Sequence, residues 1–481
     1  MTSSSVTKAT HINQIPFELL SEIFSFACDI SSPVSFQGHT TTAYPATVLS
    51  HVCSHWRSWI TSDSRLWSRI IIREFLNGIS PERVTKIHEI VELHLTRSGE
   101  LPLDIVIEFT ECTAEEKNVT HIPISLQTHG PPYLLYIYEL IFNNAHRWRH
   151  VALCIDLTVF ENMFAPTWPS HFPLLKNLHI HVFSQSLSEF IPSIEIASAP
   201  FLETLTHTGL GITICGSGRS TRALPNLRSL TLSDAMDEDT LQLASPATIV
   251  TMQEIGAAVG RNKKLCLSQE VHFFLASNQH IKFMCSQLNL PNVARLRFEA
   301  SPGTLNFPFP YQDIISVQHV SRSMLTHFTL INIPITDLDI LSLLSHLESL
   351  THLAIGEFGA PDPTLTQKFF TSLTYKHRAQ KHFQIYDISK LPQLRELHLA
   401  FGYALDFPDV VFDMIRSRTP GLGEERDLRL QIVRLFAPDN FKFVGIPLLT
   451  NQLYHAGLDF ILYWVFSRDD WKWLGLGNWI S

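Results

Sequence analysis

The motif L-x-x-L-x-L constrains the architecture of this chain more tightly than anything else in it. It reads Leu175-x-x-Leu178-x-Ile180, Leu227-x-x-Leu230-x-Leu232 and Leu394-x-x-Leu397-x-Leu399. Variants are Val293-x-x-Leu296-x-Phe298, Leu325-x-x-Phe328-x-Leu330 and Leu350-x-x-Leu353-x-Ile355, and looser members are Trp148-x-x-Val151-x-Leu153 and Leu202-x-x-Leu205-x-His207. Successive starts lie 27, 27, 25, 66, 32, 25 and 44 residues apart. A period near 26 is that of a unit too small to bury its own apolar face, so neighbours must stack. The alternating apolar positions suit a strand with one face inward. The step of 66 predicts a degenerate repeat or an insertion between Ser233 and Pro291. The expected fold class is α/β: an irregular solenoid with parallel strands on its concave side and helices or loops on its convex side.

The intervening segments fit that plan. Asp337–Leu347 has helical periodicity, and so has Val410–Ile415, with Asp406 and Asp409 as possible caps and Arg416 and Arg418 near its end. Val91–Phe109 reads as a helix, a turn at Gly99 and a strand with alternating faces. The ninth position of the motifs that start at Leu175, Leu227 and Leu394 holds Phe183, Ala235 and Gly402, which argues against a regular asparagine ladder. Residues alternating with the buried leucines are the candidate target-facing set: Asn177, His179, Ser229, Thr231, Arg295, Arg297, His327, Thr329, His352, Glu396 and His398.

Ahead of the repeats, Pro16 suits a first helical turn, and Leu19, Leu20, Ile23, Phe24 and Ala27 follow at helical spacing. Val48, Leu49, Val52, Trp56, Trp59 and Ile60 fall within one arc of a helical wheel, and Leu66, Trp67 and Ile70 open a third apolar element. So short a segment cannot bury that many large side chains within itself. Some must cover the rest of the chain or another protein. The pieces Ile15-Pro16-x-Glu18-Leu19-Leu20-x-x-Ile23-Phe24, Val52-Cys53-x-x-Trp56-Arg57 and Leu66-Trp67 resemble an F-box, as found in fungal F-box proteins with leucine-rich repeats. The stretch Asp29–Ala46 is longer and richer in Ser, Thr and Pro than the compact form. A helix, Arg-Ser-Gly, Pro-Leu, strand unit and the run His146-Arg147-Trp148-Arg149 extend the likeness beyond residue 90. The resemblance implies docking onto a Skp-type adaptor, and through it a cullin, by Pro16, Leu19, Leu20, Ile23, Leu49, Val52 and Cys53, with Trp56 and Trp67 more internal.

Of the 481 residues, 45% are hydrophobic and 17% charged, as expected of a folded chain rather than a disordered one. A net charge of −9 without a long basic run argues against nucleic acid as a partner. The seven cysteines are scattered, with no C-x-x-C pair, which favours free thiols in a reducing compartment and argues against zinc. The Ser/Thr-rich start has no apolar h-region, and no apolar run is long enough to span a bilayer. A cytoplasmic or nuclear location is therefore expected, with no membrane partner. His179 and His181 alternate on one strand face without a matching carboxylate or thiol, so no metal or other cofactor is expected. No G-x-S-x-G, H-E-x-x-H or phosphate-binding loop occurs.

These readings divide the chain into a disordered start (1–11), an F-box (12–72), a linker with a helix and a strand (73–145), degenerate leucine-rich repeats (146–466) and a Trp-rich C-terminal cap (467–481). The function they imply is non-catalytic: a substrate receptor of a ubiquitin ligase, holding the adaptor at one end and a target protein on the repeats. A scaffold unconnected to degradation is an alternative. An α/β hydrolase-type enzyme is another, with no motif in its favour.

Overall fold

The computed structural model describes residues 15–29, 45–75, 80–110, 133–156, 169, 171–183, 193–196, 198–209, 213–216, 224–233, 249–253, 265–266, 269–275, 288–289, 293–300, 309, 311–312, 314–315, 325–357, 364–374, 391–401, 407–419, 430–438 and 446–465. The chain divides into two compact units, Met1–Arg228 and Ser229–Ser481. Among the described residues no helix is long and apolar enough to cross a membrane. The expected disorder over 1–11, the insert at 30–44 and the cap at 467–481 lie outside the described residues, as do Ala235, Gly402 and the side chain of Phe183.

Unit one begins with α1 (Phe17–Asp29), α2 (Pro45–Ser50), α3 (Ser54–Ser62) and a 3-10 turn at Ser64–Trp67. A parallel sheet follows, β1 (Arg69–Phe75), β2 (Leu103–Thr110), β3 (Trp148–Asp156), β4 (Asn177–Phe183) and β6 (Thr204–Gly209), paired in that order. The short strands β5 (Ser193–Ile196) and β7 (Thr213–Gly216) pair separately. Two further helices are α4 (Pro81–Arg97) and α5 (Tyr133–Phe142). Ser80 caps α4 by accepting from Arg83 N, and Pro81 fills a first-turn position where its missing N–H costs nothing. The expected helix, Gly99 turn and strand are all present, and Gly99 takes φ +57°, which favours glycine. The buried Arg147 holds this turn from outside: Nη2 donates to Ser98 Oγ (2.6 Å) and Nε to Leu101 O (3.1 Å).

The second apolar run of the sequence is not one helix. The chain breaks at His51–Cys53, and Cys53 becomes the N-cap of α3, its Sγ accepting from Trp56 N at 3.4 Å. The break separates Val48 and Val52, both exposed, from Ile60, which is buried. The third apolar element turns at once into β1, so the sheet starts at Arg69, inside the segment assigned to the helices.

Unit two carries β8 (Ser229–Ser233), β9 (Ile249–Gln253), β11 (Glu270–Leu275), β13 (Arg295–Ala300), β14 (His327–Ile331), β15 (His352–Gly356), β16 (Glu396–Ala400), β17 (Ile432–Pro438) and β18 (Asp459–Val465). All pair parallel to their neighbours in chain order. A pair of two-residue strands, β10 (Leu265–Cys266) and β12 (Leu288–Asn289), stands apart. The helices are α6 (Asp337–Leu344), α7 (Gln367–Leu373), α8 (Pro408–Ser417) and α9 (Ile446–His455). Sequential parallel pairing with returns through helices or loops makes this an α/β fold.

Every L-x-x-L-x-L motif leads into or lies on one of the parallel strands named above, and the register matches motif positions. Leu178 opposes Leu205, Leu296 opposes Phe328, and Leu353 opposes Leu397. The first residue of each motif is buried, from Trp148, Leu175 and Leu350 at 0% to Leu325 and Leu394 at 3%. The 66-residue step holds two further sheet strands, β9 and β11, rather than one degenerate repeat. Among the described residues the 44-residue step adds no sheet strand: β15 pairs directly with β16, and α7 lies between them in sequence. Thr336 caps α6, with Oγ1 accepting from Asp339 N. The expected caps of α8 are not seen. Its N-cap is Phe407, with no side-chain cap bond, Asp409 lies in the first turn, and Asp406 is outside the described residues.

Candidate functional site

Two surfaces carry the residues singled out in the sequence. The first is the N-terminal helical cluster. Its small core is Leu20, Phe24, Ala46, Ile60, Leu66 and Trp67, with Ile15, Leu49, Trp56 and Trp59 partly buried against it. Trp67 Nε1 donates to Ile60 O at 2.6 Å, and Phe24 meets Trp56 edge-on at 4.8 Å. That core leaves a set of large side chains outside it. Phe17 (46%), Leu19 (56%), Ile23 (51%), Phe26 (72%), Val48 (63%) and Val52 (58%) are exposed. Exposed large apolar groups gathered in so short a segment are unusual for a monomer surface.

Leu20 corrects the expectation. It is 1% exposed and belongs to the core, because it shares the inward face of α1 with Phe24, four residues on. Pro16 is exposed, Leu49 is half-buried, and Cys53 is spent on capping α3. Trp67 is internal at 1%, and Trp56 is partly so.

The second surface is one face of the unit-two sheet. Two cross-strand rows run along it. The first contains Ser229, Ile249, Glu270, Arg295, His327, His352 and Glu396. The second contains Thr231, Thr251, His272, Arg297, Thr329, Ala354 and His398. Nine of the eleven candidate target-facing residues thus share one face, since residues two apart on a strand point the same way. Asn177 and His179 lie on β4 of unit one, and both are exposed.

The polar groups in these rows are tied to one another. Glu270 Oε1 accepts from His272 Nε2 at 2.9 Å, and its Oε2 lies 3.5 Å from Arg295 Nη1. Arg297 Nη2 donates to Glu299 at 2.6 Å. Glu396 faces two imidazoles, His352 Nε2 at 3.0 Å and His398 Nε2 at 3.7 Å. The rings of His327 and His352 stack at 3.7 Å with 10° between planes. Burial, then the neighbouring His352 and Arg295, push the His327 pKa down to about 4, and burial also lowers His352. Stacking of the two rings is therefore a contact between neutral groups near neutral pH. Contact with His398 and His352 holds the Glu396 carboxyl below its ordinary range.

Beside these groups lies a cavity of about 290 Å³, at the lower end of the range for ligand pockets. Seven of the sequence candidates line it: Arg295, Arg297, His327, Thr329, His352, Glu396 and His398. Ser229 and Thr231 do not. The sequence reading missed Glu270, His272, Ala354, Gly356, Ala400 and Phe436, which also line it. Glu270 and His272 alternate with Val271 and Phe273, a strand signal that was legible without the leucine motif. Among the described residues no group of three or more His, Cys, Asp or Glu side chains is arranged to hold a metal ion.

Comparison with protein-family models and with curated proteins finds no match to this chain.

Proposed function

We propose that this protein is the substrate-recognition subunit of a Skp/cullin/F-box ubiquitin ligase and has no catalytic chemistry of its own. The N-terminal helices bind a Skp-type adaptor, and the polar face of the unit-two sheet binds a target protein. The ligase chemistry belongs to other subunits, and this chain contributes proximity. The single observation that carries the reading is the exposed apolar set Phe17, Leu19, Ile23, Phe26, Val48 and Val52 around a core that is already complete without them. Side chains that the chain itself does not need to bury are the kind an obligate partner covers. The F-box-like spacing of residues 15–67 supplies the partner's class.

The test is co-purification of a Skp-type adaptor with the full chain and with an Ile23→Asp, Val52→Asp double variant. Both residues are exposed, so the variant keeps the helical core. Wild-type protein is expected to retain adaptor and cullin, and the variant to lose both. Equal retention by the two proteins refutes the reading. Rising abundance of a bound target when the adaptor surface is broken separates a receptor for degradation from a scaffold.

A further inference from the structure

The cavity on the unit-two sheet exists because side chains are missing there. Along the second row Ala354 stands between Thr329 and His398. Along the next row, Gly356 and Ala400 stand between Ile331 and Phe436. Three small residues on two adjacent strands leave a notch, and Ile331 and Phe436, 9% and 1% exposed, close its far end with apolar surface. The near end is polar.

The charges at that end are already committed. Glu270 is held by His272 and Arg295, Arg297 by Glu299, and Glu396 by His352 and His398. Each of these charged groups already has an ion-pair or hydrogen-bonding partner, so a charged ligand has to displace an existing contact. Two polar groups on β14 have room for a partner. The Thr329 hydroxyl makes no hydrogen bond among the described residues. Thr326 Oγ1 lies 2.8 Å from His327 Nδ1. That leaves His327 Nε2 with no partner among the described residues.

We infer that this cavity takes an uncharged, extended peptide segment of the target, with one large apolar side chain seated in the Ala354–Gly356–Ala400 notch. The segment's backbone amides meet His327 Nε2 and the Thr329 hydroxyl. Polar row and apolar end are four residues apart along each strand, about 13 Å, which an extended segment of about four residues covers. The inference rests on the receptor reading and names the chemistry of its target.

The experiment selects peptides from an unbiased library of displayed 12-residue peptides against the full chain, then measures the selected peptides on Ala354→Phe and on Thr329→Arg. Ala354→Phe fills the notch, and Thr329→Arg obstructs it from the neighbouring strand. Gln452→Ala, at an exposed position on α9 that does not line the cavity, serves as the control. Melting profiles identify any variant that does not fold. Should one fail, the other carries the test through a different strand. Selected peptides are expected to share a Leu, Ile, Met or Phe within an uncharged stretch. Affinity is expected to fall roughly ten- to hundredfold on filling the notch, the worth of one buried apolar side chain, and to stay unchanged in Gln452→Ala. Failure to enrich any peptide, a charged consensus, or equal affinity for Ala354→Phe overturns the inference. So does a fragment screen in which small uncharged molecules bind the cavity and peptides do not. Adaptor capture by the wild-type chain is measured in parallel. If the adaptor is captured but filling the notch leaves peptide affinity unchanged, the pocket assignment falls and the receptor reading stands. If peptides respond to the notch as expected but no adaptor is captured, the receptor reading alone is overturned.

Discussion

Leu20 and Ile23 sit three residues apart on α1 and differ widely in burial, at 1% and 51% exposed. Truncating each to alanine tests whether the exposed apolar set belongs to this chain's own packing. Leu20 contacts a core of Phe24, Ala46, Ile60, Leu66 and Trp67, so Leu20→Ala leaves a cavity and costs about 2–5 kcal/mol. Full burial of an isoleucine stabilises by about 1.5–3 kcal/mol, and half of Ile23 stays in water, which bounds Ile23→Ala at about 1 kcal/mol. Alanine's better helix propensity offsets a few tenths of that. Val52, 58% exposed, is bounded lower still. A chain of this size need not unfold in one step, so the measurement is native-state hydrogen exchange over Phe17–Asp29 and Ser54–Ser62, read as local opening free energies. Leu20→Ala is expected to speed exchange in both segments, and Ile23→Ala and Val52→Ala to leave it nearly unchanged. A loss above about 2 kcal/mol in either exposed variant shows that the patch is covered within the chain and removes the premise of an external partner.

His94 gives a pH prediction. Burial, offset by contacts with the Trp67 and Arg69 backbone, pushes its pKa down to about 4, and its Nδ1 donates to Trp67 O at 3.1 Å. The unfolded chain binds a proton near pH 6.5 that the folded chain refuses, so stability is fully present above pH 6.5 and falls as pH drops toward 4. The loss approaches roughly 3 kcal/mol, and His94→Phe is expected to flatten that slope in melting temperatures taken between pH 7 and 4. Trp148 is 0% exposed, stacks on Phe172 at 5.5 Å and donates Nε1 to Ile141 O at 3.1 Å. Trp148→Ala is expected to cost about 3–5 kcal/mol, seen as faster exchange in β3.

Much of the strand framework was legible because burial there obeys a strict period. The inward positions of β4, β8 and β16 are leucines or isoleucine in fixed spacing, and no tertiary information is needed to see them. β9 and β11 were missed because their inward residues, Val250 and Met252, Val271 and Phe273, satisfy the same geometry without the leucine signature. Apolar volume, not leucine itself, is what the stacked core requires. The helical cluster failed differently. A wheel drawn from residue 48 to 60 assumes unbroken helix, but the chain breaks at His51–Cys53, Cys53 caps the next helix, and Val48 and Val52 are exposed.

The cavity was illegible for a reason that applies to any stacked parallel sheet. Reading outward positions one strand at a time finds polar residues, because polar side chains announce themselves. A notch is made by small residues, and Ala354, Gly356 and Ala400 carry no signal alone. They matter only because Gly356 opposes Ala400 across strands 44 residues apart in sequence, while Thr329 opposes Ala354 on the other side. The register creates the site, and the register follows from the inward residues, not the outward ones. Shifting β16 by one residue against β15 would set Leu399 where Ala400 lies and turn the leucine face outward. The buried pattern thus forbids the slip, and the specificity of the outer face is inherited from the packing of the inner one.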